Sequence, residues 1–156
     1  MTPAQLMEDL KDELTEVLEH LQFPDELTGG TTPLNVFTFG IPQEKTAEDK
    51  KKKFPYILII PDEGAIADSN SPQMVSVKLL VGVFDKGMEN QGKKHVLNVI
   101  NDVCERFLVN PVLKGTYYAD EKITWVVDSE DEYPYHYGAV WLVFNTPTFE
   151  REDEYA

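Results

Sequence analysis

Apolar residues recur along the chain at two different spacings, and the change of spacing predicts where helices and strands lie. Between residues 3 and 22 they follow one another mostly at steps of three or four, which is the spacing of one helix face, and acidic residues fill the opposite face. A similar spacing returns between residues 93 and 109. Thr2 can cap the first helix, and Pro3 suits its first turn. We therefore predict two amphipathic helices.

Alternation of side-chain character predicts the strands. The clearest run is 73–85, in which five aliphatic residues point to the same side: Val75, Val77, Leu79, Val81 and Val83. Further runs predict strands at 34–39, 56–60, 117–118, 123–128 and 137–146. The polar stretches 40–53 and 62–72 are predicted to be loops.

The order of these elements predicts an α+β fold. Strands that are near in sequence are joined by connections that are mostly too short for crossovers, so most of them should pair antiparallel. We predict a mainly antiparallel sheet of about five strands with two helices packed on one face. Residues 1–147 would form this single domain, and residues 148–156 would form an acidic C-terminal tail.

The last predicted strand is apolar on both sides. Trp141 and Val143 point one way, and Val140, Leu142 and Phe144 point the other way. Two helices can cover only one face of such a sheet, so the face bearing the tryptophan needs another cover. A second subunit is the simplest cover.

Charge is distributed unevenly along the chain. The 156 residues include 28 Asp and Glu against 14 Lys and Arg, a net charge of −14. Residues 1–28 and 128–156 each hold eight acids and one base, whereas residues 29–127 are neutral. Such a field repels phosphate and disfavours sequence-specific binding of nucleic acid. The acidic ends are consistent with three roles: solubility, a basic protein partner, or a surface that keeps DNA from sticking.

Residues suited to catalysis are few. His20, His95 and His136 lack the spacing of a helix-borne zinc site, and Cys104 falls on the apolar side of the second helix. The sequence has no nucleophile elbow or phosphate-binding glycine loop, and its acidic run 128–132 lacks the pattern of a calcium loop. We predict no enzyme activity, catalytic residue, metal or cofactor. No apolar run approaches the ~20 residues of a membrane span, so no membrane partner is predicted.

Two segments are candidate contact sites. A run of lysines ends the predicted loop 40–53: Lys50, Lys51, Lys52 and Lys53. Three tyrosines precede the last strand: Tyr133, Tyr135 and Tyr137. The lysines can contact an acidic surface, including one on another copy of this chain, and tyrosine is common at protein interfaces. The alternative interpretations are a solvated loop tip and a turn that closes the core. With Trp141, these residues are our predicted interface.

Taken in order, these segments resemble the small tail terminator, or tail completion, proteins of long-tailed bacteriophages. The resemblance includes the N-terminal helix, the segment Phe54–Pro61 and the strand Val75–Phe84, which leads into Val96–Leu108. It also includes Glu132–Phe144 with its Tyr-Pro-Tyr-x-Tyr-Gly run. It covers about residues 3 to 147.

The resemblance implies an α+β subunit that assembles as a ring, typically a hexamer, at the head-proximal end of the tail tube. There the ring stops tube polymerisation and presents a surface to the head–tail connector. The implied partners are further copies of the chain, the tube protein and the connector. The implied location is the virion tail, reached from the host cytoplasm during assembly, with DNA passing through the lumen. The family has no catalytic residues to carry over.

Two alternative functions remain open. Head–tail connector and tail assembly proteins of similar size share this order of elements. An acidic inhibitor that imitates DNA would instead occupy a basic protein. Two features weaken the inhibitor alternative: the apolar sheet face, and a number of bases that is half the number of acids.

Overall fold

The computed structural model describes residues 2–25, 28–43, 45–87, 91–130 and 132–147, with the backbone alone for residues 48–50. The chain has an α+β fold in which two long helices lie against a curled, mostly antiparallel sheet. The predicted fold class is confirmed at this level.

The helices are α1 (Pro3–Val17), α2 (Ala47–Lys52) and α3 (Gln91–Val109). α1 begins as predicted, since the Thr2 hydroxyl accepts a hydrogen bond from the Gln5 amide and proline occupies the first turn. It ends before the predicted residue 22, because Leu18 leaves helical geometry and a turn follows. The six-residue α2 lies where a loop was predicted. Its residues are mostly good helix formers, but they lack the apolar periodicity that reveals a helix in a sequence.

The described residues form nine strands: β1 (Phe23–Pro24), β2 (Thr31–Thr32), β3 (Asn35–Thr38), β4 (Tyr56–Ile66), β5 (Gln73–Phe84), β6 (Val112–Leu113), β7 (Tyr117–Ala119), β8 (Thr124–Val127) and β9 (Tyr135–Asn145). β1 and β2 pair with each other. The other seven form one sheet in the order β3-β4-β5-β9-β7-β6, and β8 pairs with β9 beside β7. β3 runs parallel to β4, and the remaining pairs are antiparallel.

The predicted count of about five strands is wrong, because the sheet has seven. β6 has only two residues, too few for an alternating pattern to be visible. The predicted loop 62–72 is also partly strand, since β4 continues to Ile66 and pairs with β5 as far as Gln73. A register shift between Pro61 and Glu63 interrupts this pairing. It breaks the alternation on which the prediction depended.

Both long helices pack on one side of the sheet, as predicted, and we call this side the inner face. Alternate residues of the three central strands form it, and nearly all of them are buried with the apolar stripes of the helices. The strands contribute Ile57, Ile59, Val75, Val77, Leu79, Val81, Val83, Val140, Leu142 and Phe144; the helices contribute Leu6, Met7, Leu10, Leu14, Val96, Val99, Ile100, Val103 and Phe107. Full burial of such a side chain stabilises a fold by about 1.5–3 kcal/mol. This layer is therefore the main source of stability.

α3 approaches β9 closely at Gly138. A Cβ atom there would lie 2.6 Å from Cγ1 of Val96 and 3.1 Å from Cδ1 of Ile100. The helix thus rests on the strand backbone at this point.

Candidate interaction surface

The opposite side of the sheet, which we call the outer face, carries the remaining alternate residues of the same strands. They include Tyr56, Leu58, Ile60, Met74, Ser76, Lys78, Leu80, Gly82, Phe84, Tyr135, Tyr137, Ala139, Trp141, Val143 and Asn145. α1 and α3 lie on the other side of the sheet. The outer face is therefore the part of the sheet that the two long helices leave open.

An aromatic cluster occupies one end of the outer face. The Phe54 ring lies 5.0 Å from that of Tyr56 and 5.1 Å from that of Tyr135, measured between centroids. The Phe84 ring lies 5.2 Å from that of Tyr135. Gly82 makes room for these rings, since a Cβ there would lie 2.5 Å from a ring carbon of Tyr56. The chain therefore covers this end of its outer face itself.

Lysines surround the aromatic cluster. Nζ of Lys51 lies 5.8 Å from the centroid of the Phe84 ring, and Nζ of Lys53 lies 5.6 Å from that of Phe54. Lys86 also approaches the Phe84 ring, at 5.8 Å. The structure thus brings two lysines of the run, Lys51 and Lys53, to the cluster that includes two of the predicted tyrosines. Lys52 is exposed, and the Lys50 side chain lies outside the described ones.

The three predicted tyrosines differ in their surroundings. Tyr135 and Tyr137 are half-buried against the aromatic cluster. Tyr133 is 49% exposed, and its hydroxyl donates a hydrogen bond to the backbone carbonyl of Lys86 at 2.6 Å. Two of these tyrosines therefore help to close the core, and Tyr133 offers accessible apolar area.

The other half of the outer face is more open. Trp141 lies opposite Lys78 in the strand register, and Nζ of Lys78 is 5.4 Å from a ring centroid of the tryptophan. Val126 of β8 and Met74 of β5 are 48% and 43% exposed. A depression of about 260 Å³ lies at the far end, lined by Glu63, Gly64, Ala65, Met74, Ser76 and Val143. This half of the outer face therefore leaves apolar side chains accessible to solvent.

An acidic stripe lies on the opposite surface of the molecule. Glu8, Asp12 and Glu16 are exposed on α1, at successive four-residue steps that place them on one stripe. Glu13 instead forms an ion pair with Arg106 of α3, with the Glu13 Oε1 to Arg106 Nε distance at 2.5 Å. The chain therefore has lysines on the outer face and carboxylates behind the inner face.

A second apolar depression, which the sequence analysis missed, lies between α3 and β8. Its volume is about 340 Å³, and its lining includes Leu97, Cys104 and Trp125. Trp125 is 51% exposed and pairs with Val140, so it points to the helix side of the sheet. The alternation of β8 could have indicated this, because neighbouring residues in a strand face opposite ways.

Two of the histidines lie beside carboxylates, and the cysteine is half-buried. His20 lies 3.1 Å from Asp102, and His95 lies 3.8 Å from Asp85, measured between nitrogen and carboxylate oxygen. Burial raises the pKa of the Cys104 thiol, which disfavours the thiolate needed for nucleophilic attack. Within the described ranges, no three His, Cys, Asp or Glu side chains converge to hold a metal ion.

No protein-family model matches this chain, and no curated protein matches its sequence significantly. Among the helices that the structure describes, none has both the length and the apolar composition needed to cross a bilayer.

Proposed function

We propose that this chain is a structural subunit of a bacteriophage tail, a tail terminator that assembles as a ring at the head-proximal end of the tail tube. The ring, a hexamer by resemblance to the family, ends tube polymerisation and offers its other side to the head–tail connector. The subunit acts by binding alone.

One observation carries this proposal: the outer face is apolar and partly open around Trp141. Apolar area of this kind is stabilised when another protein surface covers it. The α+β fold and the opposed charges of its two sides are also suited to self-assembly, because a head-to-tail contact joins two different surfaces of the same chain.

The direct test is the mass of the protein in solution, measured by light scattering at low and high concentration and followed by electron microscopy. We expect a closed ring with a central hole, either for the protein alone or after addition of tail tubes. A protein that stays monomeric and ignores tubes would contradict the proposal.

Trp141→Glu tests the outer face in particular. We expect the variant to fold and to lose assembly, because a carboxylate replaces the central apolar group of the contact. Trp125→Glu is the matched control, since it makes the same substitution on the next strand but on the other side of the sheet. Equal assembly by wild type and Trp141→Glu would exclude the outer face from the ring contact.

The two alternatives give different results. A head–tail connector would also form a ring, but this ring would not stop the growth of tail tubes. An acidic inhibitor would remain small and would bind a basic protein with steep salt dependence.

A further inference from the structure

Lysines of the outer face are held above aromatic rings rather than extended into solvent. Lys51 lies over Phe84 and Lys78 over Trp141, with Nζ 5.8 and 5.4 Å from the ring centroids. A ring holds an ammonium group in place through its quadrupole and leaves the positive charge unneutralised. The outer face therefore presents cations at defined positions on an apolar background, which suits a partner that carries carboxylates.

The acidic stripe of α1 carries such carboxylates. Like charges four residues apart destabilise a helix, and this applies to Glu8 with Asp12 and to Asp12 with Glu16. Glu16 also lies in the last turn, where the helix dipole disfavours an anion, and that turn contains no base. Among the ion pairs of the described residues, none involves Asp12 or Glu16. The stripe is therefore unfavourable within one subunit, and a cationic partner would stabilise it.

We propose that the outer face of one subunit binds the acidic α1 stripe of a second copy, with Lys51 and Lys78 facing Asp12 and Glu16. This inference rests on the proposed function, since it specifies which two surfaces form the ring contact.

The placement of the two surfaces suits such a contact. They lie on opposite sides of one sheet, so each subunit can use both at once and the contact can repeat around a ring. Asp12 and Glu16 are separated by about 6 Å of helix. Along β5, about 20 Å separates Lys78 from Phe84, over which Lys51 lies. The lysines are the wider pair, so each reaches inward by about 7 Å to its carboxylate, a distance that the two facing side chains can span together.

Charge reversal on each surface is the test. The outer-face variant is Lys51→Glu with Lys78→Glu, and the helix variant is Asp12→Lys with Glu16→Lys. Each variant alone places like charges across the contact, so we expect assembly, alone or on tail tubes, to weaken at least tenfold. In an equimolar mixture of the two variants every contact again joins opposite charges, so the mixture should recover assembly.

The matched control is Lys93→Glu with Lys94→Glu, which makes the same charge change at the start of α3. It should assemble as the wild type does. Circular dichroism and urea unfolding check that every variant folds. If Lys51→Glu with Lys78→Glu fails to fold, Lys51→Gln with Lys78→Gln takes its place. This variant should also weaken assembly.

The outcomes separate this inference from the proposed function. A wild-type ring that is insensitive to both reversals, or variants that fail to recover on mixing, would overturn the docking and leave the ring intact. A wild-type protein that never assembles would overturn both. If the outer-face reversal abolishes binding of single-stranded DNA but leaves assembly unchanged, the face binds nucleic acid and the docking is wrong.

Discussion

The two faces of the central sheet are made by the same strands, yet they are covered in different ways. On the inner face, aliphatic side chains are buried under two helices that come from distant parts of the sequence. On the outer face, one end is closed by the chain's own aromatic rings and the other end remains partly open around Trp141. The comparison indicates a division of roles. The inner face stabilises the fold, and the outer face leaves apolar side chains accessible around Trp141.

The strongest test of this division uses two neighbouring leucines of β5 that point to opposite faces. Leu79 is fully buried on the inner face, and Leu80 is half-buried on the outer face. We expect Leu79→Ala to lower the free energy of unfolding by about 2–5 kcal/mol, because it leaves a cavity in a packed layer. Leu80→Ala should cost about 1 kcal/mol, since less area leaves the core. Urea unfolding measures both, and equal losses would contradict the division.

Two glycine-to-alanine variants, one on each face of the sheet, test the same division by adding side-chain volume. Gly138→Ala places a methyl group against Val96 and Ile100, so α3 must move away from the sheet. We expect it to lower the free energy of unfolding by about 1–3 kcal/mol. Gly82→Ala instead displaces the rings of Tyr56 and Phe54. Its main effect should appear in the near-ultraviolet circular dichroism of the aromatic cluster. A larger stability loss for Gly82→Ala would reverse our ranking of the two faces.

High pH should weaken the inner face through Tyr117. Burial and the nearby Asp9 carboxylate raise the pKa of its hydroxyl to about 12, against 10.0 in an unfolded chain. The folded protein therefore keeps this proton where the unfolded chain loses it, and stability falls as the pH rises from about 10 to 12. Tyr117→Phe should remove this part of the loss, as measured by thermal unfolding across that range. Tyr118→Phe is the control, because Tyr118 is 54% exposed. An unchanged slope in Tyr117→Phe would exclude this residue as the cause.

The smallest expected effect concerns Lys78 and Trp141. Lys78→Met removes the ammonium group over the indole and keeps most of the aliphatic side chain. We expect a stability loss of about 0.5–1 kcal/mol, the size of an exposed cation–π contact. Tryptophan fluorescence in a Trp125→Phe background would report the change at Trp141 alone. A loss as large as that of Leu79→Ala would mean that the open half of the outer face is core.

Local pattern was enough to predict much of the fold. The start of α1, the extent of α3 and the two-sided character of β9 follow from the spacing of apolar residues, which depends only on near neighbours in sequence. α2 and β6 were missed because neither carries a usable periodicity. The parallel pairing of β3 with β4 also needs information about partners that a single strand does not contain.

The candidate surface could be predicted from the sequence only in part, for the same reason. The tyrosines, the lysine run and Trp141 could be identified singly, as unusual residues in their segments. That Lys51 lies over Phe84, 33 positions further along the chain, depends on the pairing of β4 with β5 and was not predictable from either segment. The side of the sheet that Trp125 faces follows from the alternation of β8, but its exposure depends on how α3 packs beside that strand, which the segment alone does not show.

β3 pairs only with the first four residues of β4. Among the described strands, none pairs with the edge of β4 that faces away from β5 between Ile60 and Ile66. An open edge invites strands of other molecules to add to it, and such addition leads to aggregates. Here the edge contains Pro61, which lacks an amide hydrogen, the shifted register that follows it, and the charges of Asp62 and Glu63. These features discourage indiscriminate strand addition. We therefore expect the isolated chain to resist aggregation through this edge.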